Sequence, residues 1–229
     1  MFKPIKSTKV YEQVVEQIKG MIMDGTLKKG DKLPAERDLA EQLQVSRASI
    51  REAIRVLEVI GLVESRQGGG NFIRESFENS LFEPLSMVFM LEKSKPQEIL
   101  ELRRIMEIET AALAARKIND KDLEAIREII EEMKKTDDEI INAALDKEFH
   151  YRIAHASGNV LVLNILNAVS ILIDEFIKGA REMIVSNEEN RHRLAEQHEE
   201  IYIALKNHNQ KGAIDAMKKH FDFVDKYYY

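Results

Sequence analysis

The 229-residue sequence contains no cysteine. This absence excludes disulfide bonds, thiolate metal sites and cysteine nucleophiles, and it is typical of proteins of the reducing cytosol. No stretch approaches the ~18 consecutive apolar residues of a membrane span, and the first residues lack the apolar core of a signal peptide. We therefore expect a cytoplasmic protein with no membrane association.

The composition is that of a folded protein, with 44% hydrophobic and 32% charged residues. The length allows one large domain or two modest ones. The net charge of −6 is unevenly distributed: residues 1–75 contain 13 Lys and Arg against 11 Asp and Glu, and the remainder contains 21 against 29. A mildly basic front and an acidic back suggest two modules with different partners.

The pattern of the chain changes after residues 74–80, RESFENS. Glycine-rich turns and short β-prone runs precede this stretch, and long amphipathic segments with helix-start signals follow it. We predict a mainly α protein with domains at 1–76 and 77–229. The first is a winged helix-turn-helix, and the second is an all-α antiparallel bundle of about seven helices, near 82–92, 97–117, 120–135, 138–156, 159–185, 188–207 and 211–226.

Residues 34–73 have the order of a winged helix: a short helix, a tight turn, a second helix capped by Ser46, and a glycine-tipped hairpin. Arg47, Arg51 and Arg55 recur every four residues on one face of the second helix. On such a face a guanidinium can reach the N7 and O6 acceptors of guanine in a major groove. An isolated row of arginines is more often a solvated surface, but the turn and hairpin around this one favour DNA binding.

The stretch LPAERDLAEQLQVSRASIREAIRVLEVIGLVESRQGGGNFI closely resembles the winged-helix domain of the GntR family of bacterial transcription regulators. The resemblance covers about residues 8–74 and implies a double-stranded DNA operator with an inverted repeat, bound by a homodimer. It also implies that Arg37, Arg47 and Arg51 contact the operator. Together with Ser46 and the central wing glycine, Gly69, these are the candidate DNA-binding residues.

Three histidines occupy positions that the apolar period assigns to the interior of three separate helices. They are His150, which follows Asp146 by one helical turn, His198 and His220. A single buried histidine is usually hydrogen-bonded and structural, whereas three from separate helices beside an aspartate can build a metal site in a bundle. The spacing leaves both interpretations open. The remaining histidines fall off these faces and are predicted to face solvent: His155, His192 and His208.

This second part looks like the FCD ligand-binding domain of the FadR-type GntR subfamily, through D-x-x-x-H, EQHEEIYIAL and MKKHF. The resemblance implies that Asp146, His150, His198 and His220 hold a metal, and three imidazoles with one carboxylate suit zinc first, with nickel, manganese or iron as alternatives. It further implies that Arg103 holds the carboxylate of a small organic acid. From the residues alone, Arg103 lies on an inward stripe, where Glu107, four residues on, is the alternative partner.

We therefore predict a transcription regulator that binds an operator as a homodimer and responds to a small organic acid at a metal site. One alternative is that the metal itself is the effector, and another is a purely structural metal. A hydrolytic enzyme is disfavoured because Lys147 stands where the H-E-x-x-H metalloprotease motif has its glutamate. The sequence also shows no Ser-His-Asp set, so we predict that the protein is not an enzyme.

Overall fold

A computed structural model describes residues 9–75, 78–92 and 95–227. The chain divides into two compact units, Met1–Pro84 and Leu85–Tyr229. The division falls inside a helix, Glu78–Leu91, so the predicted boundary at residue 77 lies just before that helix and the unit boundary lies within it. The domain limits of 1–76 and 77–229 stay a prediction.

The first unit has the predicted order of three helices followed by a two-stranded antiparallel wing, which confirms the winged helix-turn-helix. Its strands pair from Val63 with Ile73 to Arg66 with Gly70. Val63 and Ile73 are fully buried and join the hairpin to the helical core. The elements are α1 Val10–Met23, α2 Glu36–Gln42, α3 Arg47–Val59, β1 Val63–Arg66 and β2 Gly70–Ile73.

Helix α3 is amphipathic, and its apolar face lies on the core of this unit. The buried residues recur at the three- and four-residue intervals of a helix: Ile50, Ala53, Ile54 and Leu57. Because that face is buried, the residues between these positions must face outward. This arrangement leaves the arginine face of α3 available to a partner.

The second unit is helical throughout its described residues. From residue 78 onward the described residues form eight helices, one more than predicted, and the first of them begins in the first unit: α4 Glu78–Leu91, α5 Pro96–Lys117, α6 Asp120–Lys135, α7 Glu139–Ala156, α8 Val160–Ala168, α9 Ser170–Ile184, α10 Glu188–Lys206 and α11 Gln210–Asp225. The short connections from α6 to α7 and from α10 to α11 join helices that pack on each other, as in an antiparallel bundle.

The prediction of one helix over 159–185 is wrong, because the segment breaks at Val169. The two halves, α8 and α9, are bent by 70°. Val169 ends the first half and begins the second, and its side chain is 6% exposed. Neither glycine nor proline stands at the break, so the sequence has no local signal for the bend. The bend coincides with the burial of Val169 in the core.

None of the described helices by itself has the length and apolar composition of a membrane span. The bent pair α8 and α9 passes that test only when its two halves are taken together. The core of this unit is aliphatic apart from a few aromatic side chains, of which Phe149 and Phe221 are fully buried beside the interior histidines.

Candidate nucleic-acid interface and metal centre

Ser46 caps the N-terminus of α3, the helix that carries the row of arginines. The Ser46 hydroxyl accepts a hydrogen bond from the backbone N–H of Ser49 at 3.0 Å, which confirms the predicted capping role. Such a cap satisfies one of the backbone donors that a helix leaves free in its first turn. The additional role of Ser46 in contacting an operator stays a prediction.

The three arginines of α3 are exposed, as the period predicted. Arg51 makes a long contact of 3.6 Å with Glu36, and Arg37 on α2 makes one of 3.5 Å with Asp38. Exposed ion pairs of this kind contribute little to stability, so these guanidinium groups can turn toward another partner at small cost. Arg37 and Arg47 line one surface depression, and Arg51 and Arg55 line another.

The three wing glycines have local structural reasons. Gly68 and Gly70 have φ of 73° and 97°, in the left-handed region that glycine adopts at no steric cost. A Cβ on Gly69 would lie 3.2 Å from Cβ of Arg66. The tight turn therefore accounts for all three glycines, and a contact between Gly69 and an operator phosphate stays a prediction.

Two cationic side chains at the wing were not singled out from the sequence. The Arg66 guanidinium lies 4.4 Å from the ring centroid of Phe72, and the Lys32 ammonium lies 5.6 Å from it. Lys32 lies far from the hairpin in sequence and reaches it through an isolated β-bridge to Phe72. Only the tertiary structure brings Lys32 beside the wing glycines, whereas Arg66 is next to them in the sequence and pairs with Glu64.

In the second unit the structure brings His150, His198 and His220 together. They come from α7, α10 and α11 and are 2–3% exposed. One nitrogen of each can be chosen so that all three lie within 4.8 Å of one another. This cluster matches the prediction from the three apolar stripes.

Asp146 joins the cluster from one turn earlier on α7. Its Oδ1 lies 3.3 Å from Nε2 of His198, and its Oδ2 lies 3.9 Å from Nε2 of His150. The buried guanidinium of Arg181 on α9 donates to Oδ1 at 3.3 Å and also pairs with Glu139. The sequence did not predict this role for Arg181. Its contact holds the Asp146 carboxylate from α9, whereas Asp146 itself lies on α7.

Four ring nitrogens in the cluster are buried and have no hydrogen-bond partner in the described part of the chain: Nδ1 and Nε2 of His150, Nε2 of His198 and Nδ1 of His220. Each buried polar atom left unpartnered costs about 1–3 kcal/mol. Three imidazoles and a carboxylate are a donor set that suits a divalent transition metal. These residues therefore fit a metal ion.

Burial and neighbouring charges shift the pKa values of Asp146, His198 and His220 toward the forms that bind metal, a charged carboxylate and neutral imidazoles. Burial lowers the pKa of His198 against the opposing effect of Asp146, and burial together with the other two histidines holds the pKa of His220 well below its usual range. Burial would raise the pKa of Asp146, but His198, His150 and Arg181 hold it well below its usual range. The imidazoles of His198 and His220 are thus neutral and the carboxylate charged.

Arg103, predicted to hold an acid, is 3% exposed and pairs with Glu107, the alternative partner offered by the sequence. Its Nε donates to Oε1 of Glu107 at 2.7 Å. The other oxygen of Glu107 lies 2.5 Å from Nδ1 of His150, without the geometry of a hydrogen bond. Burial opposes the charge on Glu107, but Arg103 and His150 lower its pKa to about 2.

Glu107 also contacts the candidate metal ligand His150, a contact that the sequence did not predict. Metal-binding histidines commonly turn their free ring nitrogen toward a carboxylate, which fixes the orientation of the ring. With Nδ1 of His150 toward Glu107, Nε2 faces Asp146. The signal was present in the sequence, because Glu107 shares the inward stripe of Arg103, but the contact with His150 crosses between helices.

A cavity of about 350 Å³ lies beside His198. Its walls come from α6, the 136–138 connection, α7, α9 and α10, and they include Asn142, Arg181 and Arg191 with apolar side chains such as Leu194. Arg103 is not among the lining residues. Of the candidate metal ligands, His198 lines this cavity.

Both parts of the chain match known protein families. Residues 10–73 match the bacterial regulatory proteins of the gntR family, and residues 98–223 match the FCD domain. The chain belongs to the GntR family, in the group with an FCD domain. It is therefore a DNA-binding transcription regulator, and both resemblances read from the sequence are confirmed.

Curated members of the GntR family align over almost the whole chain. LutR of Bacillus subtilis, named as an HTH-type transcriptional regulator, is 38% identical over 90% of this chain and 94% of its own. An Escherichia coli protein named for regulation of the L-lactate dehydrogenase operon is 34% identical over 93% of this chain and 84% of its own. These names are those of regulators, as predicted, and not of enzymes.

The fold of this GntR protein also has a solved counterpart. The structure described as Streptococcus agalactiae GntR is 28% identical, with a TM-score of 0.66 over 94% of this chain and 99% of its own. The likeness covers the winged helix and the helical unit together.

The histidines predicted to face solvent are exposed residues, although Nδ1 of His208 lies 2.8 Å from the backbone oxygen of Ala115. His155, His192 and His208 are exposed, and none belongs to the buried cluster. His192 does line the mouth of the cavity beside His198. His155 is therefore the better control residue for metal binding, since it lies on the same helix as His150 and outside the cavity lining.

Proposed function

We propose that this regulator binds an inverted-repeat operator as a homodimer and is controlled by a small organic acid bound at a metal ion in its FCD domain. The observation that carries the proposal is the buried cluster of Asp146, His150, His198 and His220, with ring nitrogens that have no hydrogen-bond partner among the described residues. The cavity next to His198 supports access of a small molecule.

Operator binding is proposed to use the exposed face of α3. Arg47 and Arg51 would read base edges in the major groove, with Arg37, Ser46 and Gly69 as the other proposed contacts. The positive charge of Lys32 beside Phe72 supports a backbone contact by the wing, while the charge of Arg66 is paired with Glu64. One recognition helix reads only a few base pairs, so useful affinity calls for two copies on a repeated half-site.

An exposed apolar surface supports the proposed homodimer. Helix α4 exposes Met87 and Leu91, which are 58% and 76% exposed, and α8 exposes Val160 and Leu161, at 66% and 73%. The two helices are tied together, since the Ser86 hydroxyl donates to the backbone oxygen of Ala168 at 2.6 Å. Apolar patches of this kind commonly mark protein interfaces, and we assign this one to a second copy of the chain.

The metal, with zinc as the first candidate, would be held by Asp146 and the three histidines. When bound, it would supply open coordination positions for a carboxylate oxygen. The chain contributes the orientation of its ligands, through Arg181 on Asp146 and through Glu107 on His150. Fixing ligands in this way raises metal affinity because less freedom is lost on binding.

The proposed effector is a small acid, and the name of the E. coli relative suggests L-lactate as the first to test. The cavity volume, about 350 Å³, is near the lower end of the range of about 300–1,000 Å³ usual for small-molecule sites. Arg103 remains a proposed carboxylate contact. Because Arg103 is bonded to Glu107, the acid would have to displace that carboxylate to reach it.

Operator binding, measured with metal and acid added separately, tests the proposal. We expect the metal-loaded protein to change its operator affinity about 5- to 150-fold when the acid is added, which corresponds to a coupling of about 1–3 kcal/mol. Arg103→Lys, which keeps a positive charge beside Glu107 but loses the planar guanidinium fork, should weaken the response and spare both metal content and ligand-free operator affinity. If no acid of two to six carbons changes operator affinity, acid sensing is refuted.

Metal sensing is the second candidate, and the same measurement separates it from the first. It is favoured by the three histidines and Asp146, which lie together on α7, α10 and α11 as a set of candidate metal ligands. If metal alone changes operator affinity and no acid adds to the effect, the metal is the effector. A metal that changes stability but never operator affinity would be structural.

A further inference from the structure

The bend at Val169 places the end of a helix inside the core of the second unit. Helix α8 ends at Ala168, and the last four carbonyl groups of a helix have no partner within that helix. Two of these carbonyl groups belong to core residues, since Leu166 is 1% exposed and Ala168 is 6% exposed. A buried carbonyl group without a donor is costly, so both need partners from elsewhere.

Side-chain hydroxyl groups from two other helices supply these donors. The Tyr151 hydroxyl on α7 donates to the backbone oxygen of Leu166 at 2.6 Å, and the N–H of Val169 reaches the same oxygen at a longer 3.3 Å. The Ser86 hydroxyl on α4 donates to the backbone oxygen of Ala168 at 2.6 Å, and Ser86 is 1% exposed. The end of α8 is therefore held by both α7 and α4.

The two helices that hold the end of α8 belong to different parts of the protein. Helix α7 carries two candidate metal ligands, and Tyr151 directly follows one of them, His150. A movement of α7 on metal binding therefore also moves the tyrosine hydroxyl. Helix α4 begins in the first unit and continues into the second, so it is the covalent link to the winged helix.

Coupling between two sites requires an element with two arrangements whose balance both sites influence. The junction of α8 and α9 suits this role, because the two helices meet at 70° with neither glycine nor proline to set the angle. We infer that the end of α8 transmits occupancy of the metal site to α4, with Tyr151 and Ser86 as the positioning residues. This inference rests on the proposed function, because it names the route by which a ligand of the FCD domain would affect operator binding.

Hydrogen exchange of the full chain, measured with and without zinc, tests this route. In the wild type, zinc should change amide exchange in the ligand-bearing helices α7, α10 and α11, and also in α8 and α4. Tyr151→Phe and Ser86→Ala each remove one hydroxyl and no proposed ligand. Tyr151→Phe should lose the zinc effect on both α8 and α4, whereas Ser86→Ala should lose it on α4 alone. Both variants should keep the effect on α10 and α11.

Operator affinity provides a second measurement of the same route. Either substitution should reduce the change in operator affinity caused by zinc with L-lactate about 2- to 30-fold, the range in which residues between coupled sites act. Because the two hydroxyl groups would act in series, the double variant should lose no more than the larger of the two single losses.

Two variants control for the loss of a hydroxyl elsewhere in the unit. Tyr202→Phe alters α10, the helix of His198, but the described contact of Tyr202 with Arg127 is made by its ring. Ser157→Ala removes a buried hydroxyl that donates to the backbone oxygen of Ala154 at 2.6 Å, at the end of α7. Both controls should keep the zinc effect on α4, and native mass spectrometry should show equal zinc content in all variants.

A zinc effect on α4 that persists in either Tyr151→Phe or Ser86→Ala would overturn the inference. A wild type in which ligand binding changes operator affinity but leaves α4 exchange unchanged would also overturn it, while the proposed function would stand. If zinc binds but neither zinc nor zinc with acid changes operator affinity, the proposed function fails, and the exchange of α4 alone then decides whether the route exists. A wild type that binds no zinc would refute both.

Discussion

At the scale of single residues, the FCD unit depends on pairs of opposite charge buried side by side. Arg103 with Glu107, and Arg181 with Asp146, are each less than a tenth exposed. Breaking a buried pair by removing one partner is strongly destabilising, because the other charge is left without compensation. Conservative replacements that keep the shape are therefore the informative ones at these positions.

Glu107→Gln should lower zinc affinity about 10- to 100-fold, because the amide orients His150 less strongly than the carboxylate does. Competition with a chromophoric chelator measures this change. Glu148→Gln is the control, since Glu148 lies on the helix of His150 but pairs with Arg152 at the surface. Equal zinc affinity in the two variants would remove Glu107 from the proposed metal site.

Arg51→Ala should weaken operator binding by about 1–3 kcal/mol at one base-pair position and leave the fold intact. The guanidinium is exposed and its contact with Glu36 is long, so little stability is lost with it. Fluorescence anisotropy with single-base operator variants measures the effect. Arg116→Ala, outside the winged helix, provides the control; an operator affinity equal to wild type in Arg51→Ala would exclude the residue from readout.

At the scale of helices, α7 contributes most to the proposed metal site. It carries Asp146 and His150, and its first turn carries Asn142. The helix begins at Asp138, whose carboxylate accepts from the backbone N–H groups of Ile140 and Ile141. An anion at this end also complements the helix dipole. The cap therefore fixes where along the helix these three side chains stand.

The exposed apolar faces of α4 and α8 lead to a prediction at the same scale. Leu161→Glu should dissociate the proposed dimer, because it places a charge in an apolar interface. Analytical ultracentrifugation of the full chain measures the state of assembly. Ile105→Glu is the control, since Ile105 on α5 is 73% exposed and lies outside those faces. A Leu161→Glu variant that sediments as the wild type does would refute this interface.

At the scale of the whole chain, metal removal should lower stability. A ligand bound to the folded state alone stabilises it by about 2.7 kcal/mol at a hundredfold excess over its dissociation constant. Chelation, or His198→Ala, should therefore lower the melting temperature of the second unit. His155→Ala should not, because that histidine is exposed and outside the cluster. Identical melting behaviour of the two variants would contradict the assigned ligands.

Acid and operator must also be linked through the whole molecule. An acid that binds equally well to two arrangements of the paired winged helices cannot change the equilibrium between them. To affect operator binding, it must therefore bind one arrangement more tightly. Residues 74–85 are the only covalent connection between the two predicted domains, and part of this stretch lies outside the described residues. The effect of the acid on operator affinity is the measurement that reports this linkage.

The sequence by itself determined the parts of the protein that depend on local periodicity. The winged helix followed from turn and helix signals within about forty residues, and the three interior histidines followed from the 3.6-residue period of their own helices. A helix period shows which face a residue occupies without knowledge of its neighbours. That is why His150, His198 and His220 were predicted from spacing, and why His155 was predicted to face solvent.

Only the tertiary structure shows which residues of other helices each helix face contacts. The break at Val169 has no local signal, and the contacts of Arg181 with Asp146 and of Glu107 with His150 join different helices. The pairing of Arg103 with Glu107 is local, since the two are four residues apart on α5, whereas the approach of Glu107 to His150 on α7 comes from packing between helices. The helical period determines which face of its own helix a residue occupies, whereas packing between helices determines the distances between residues on different helices. Hydrogen bonds, ion pairs and metal coordination all depend on those distances.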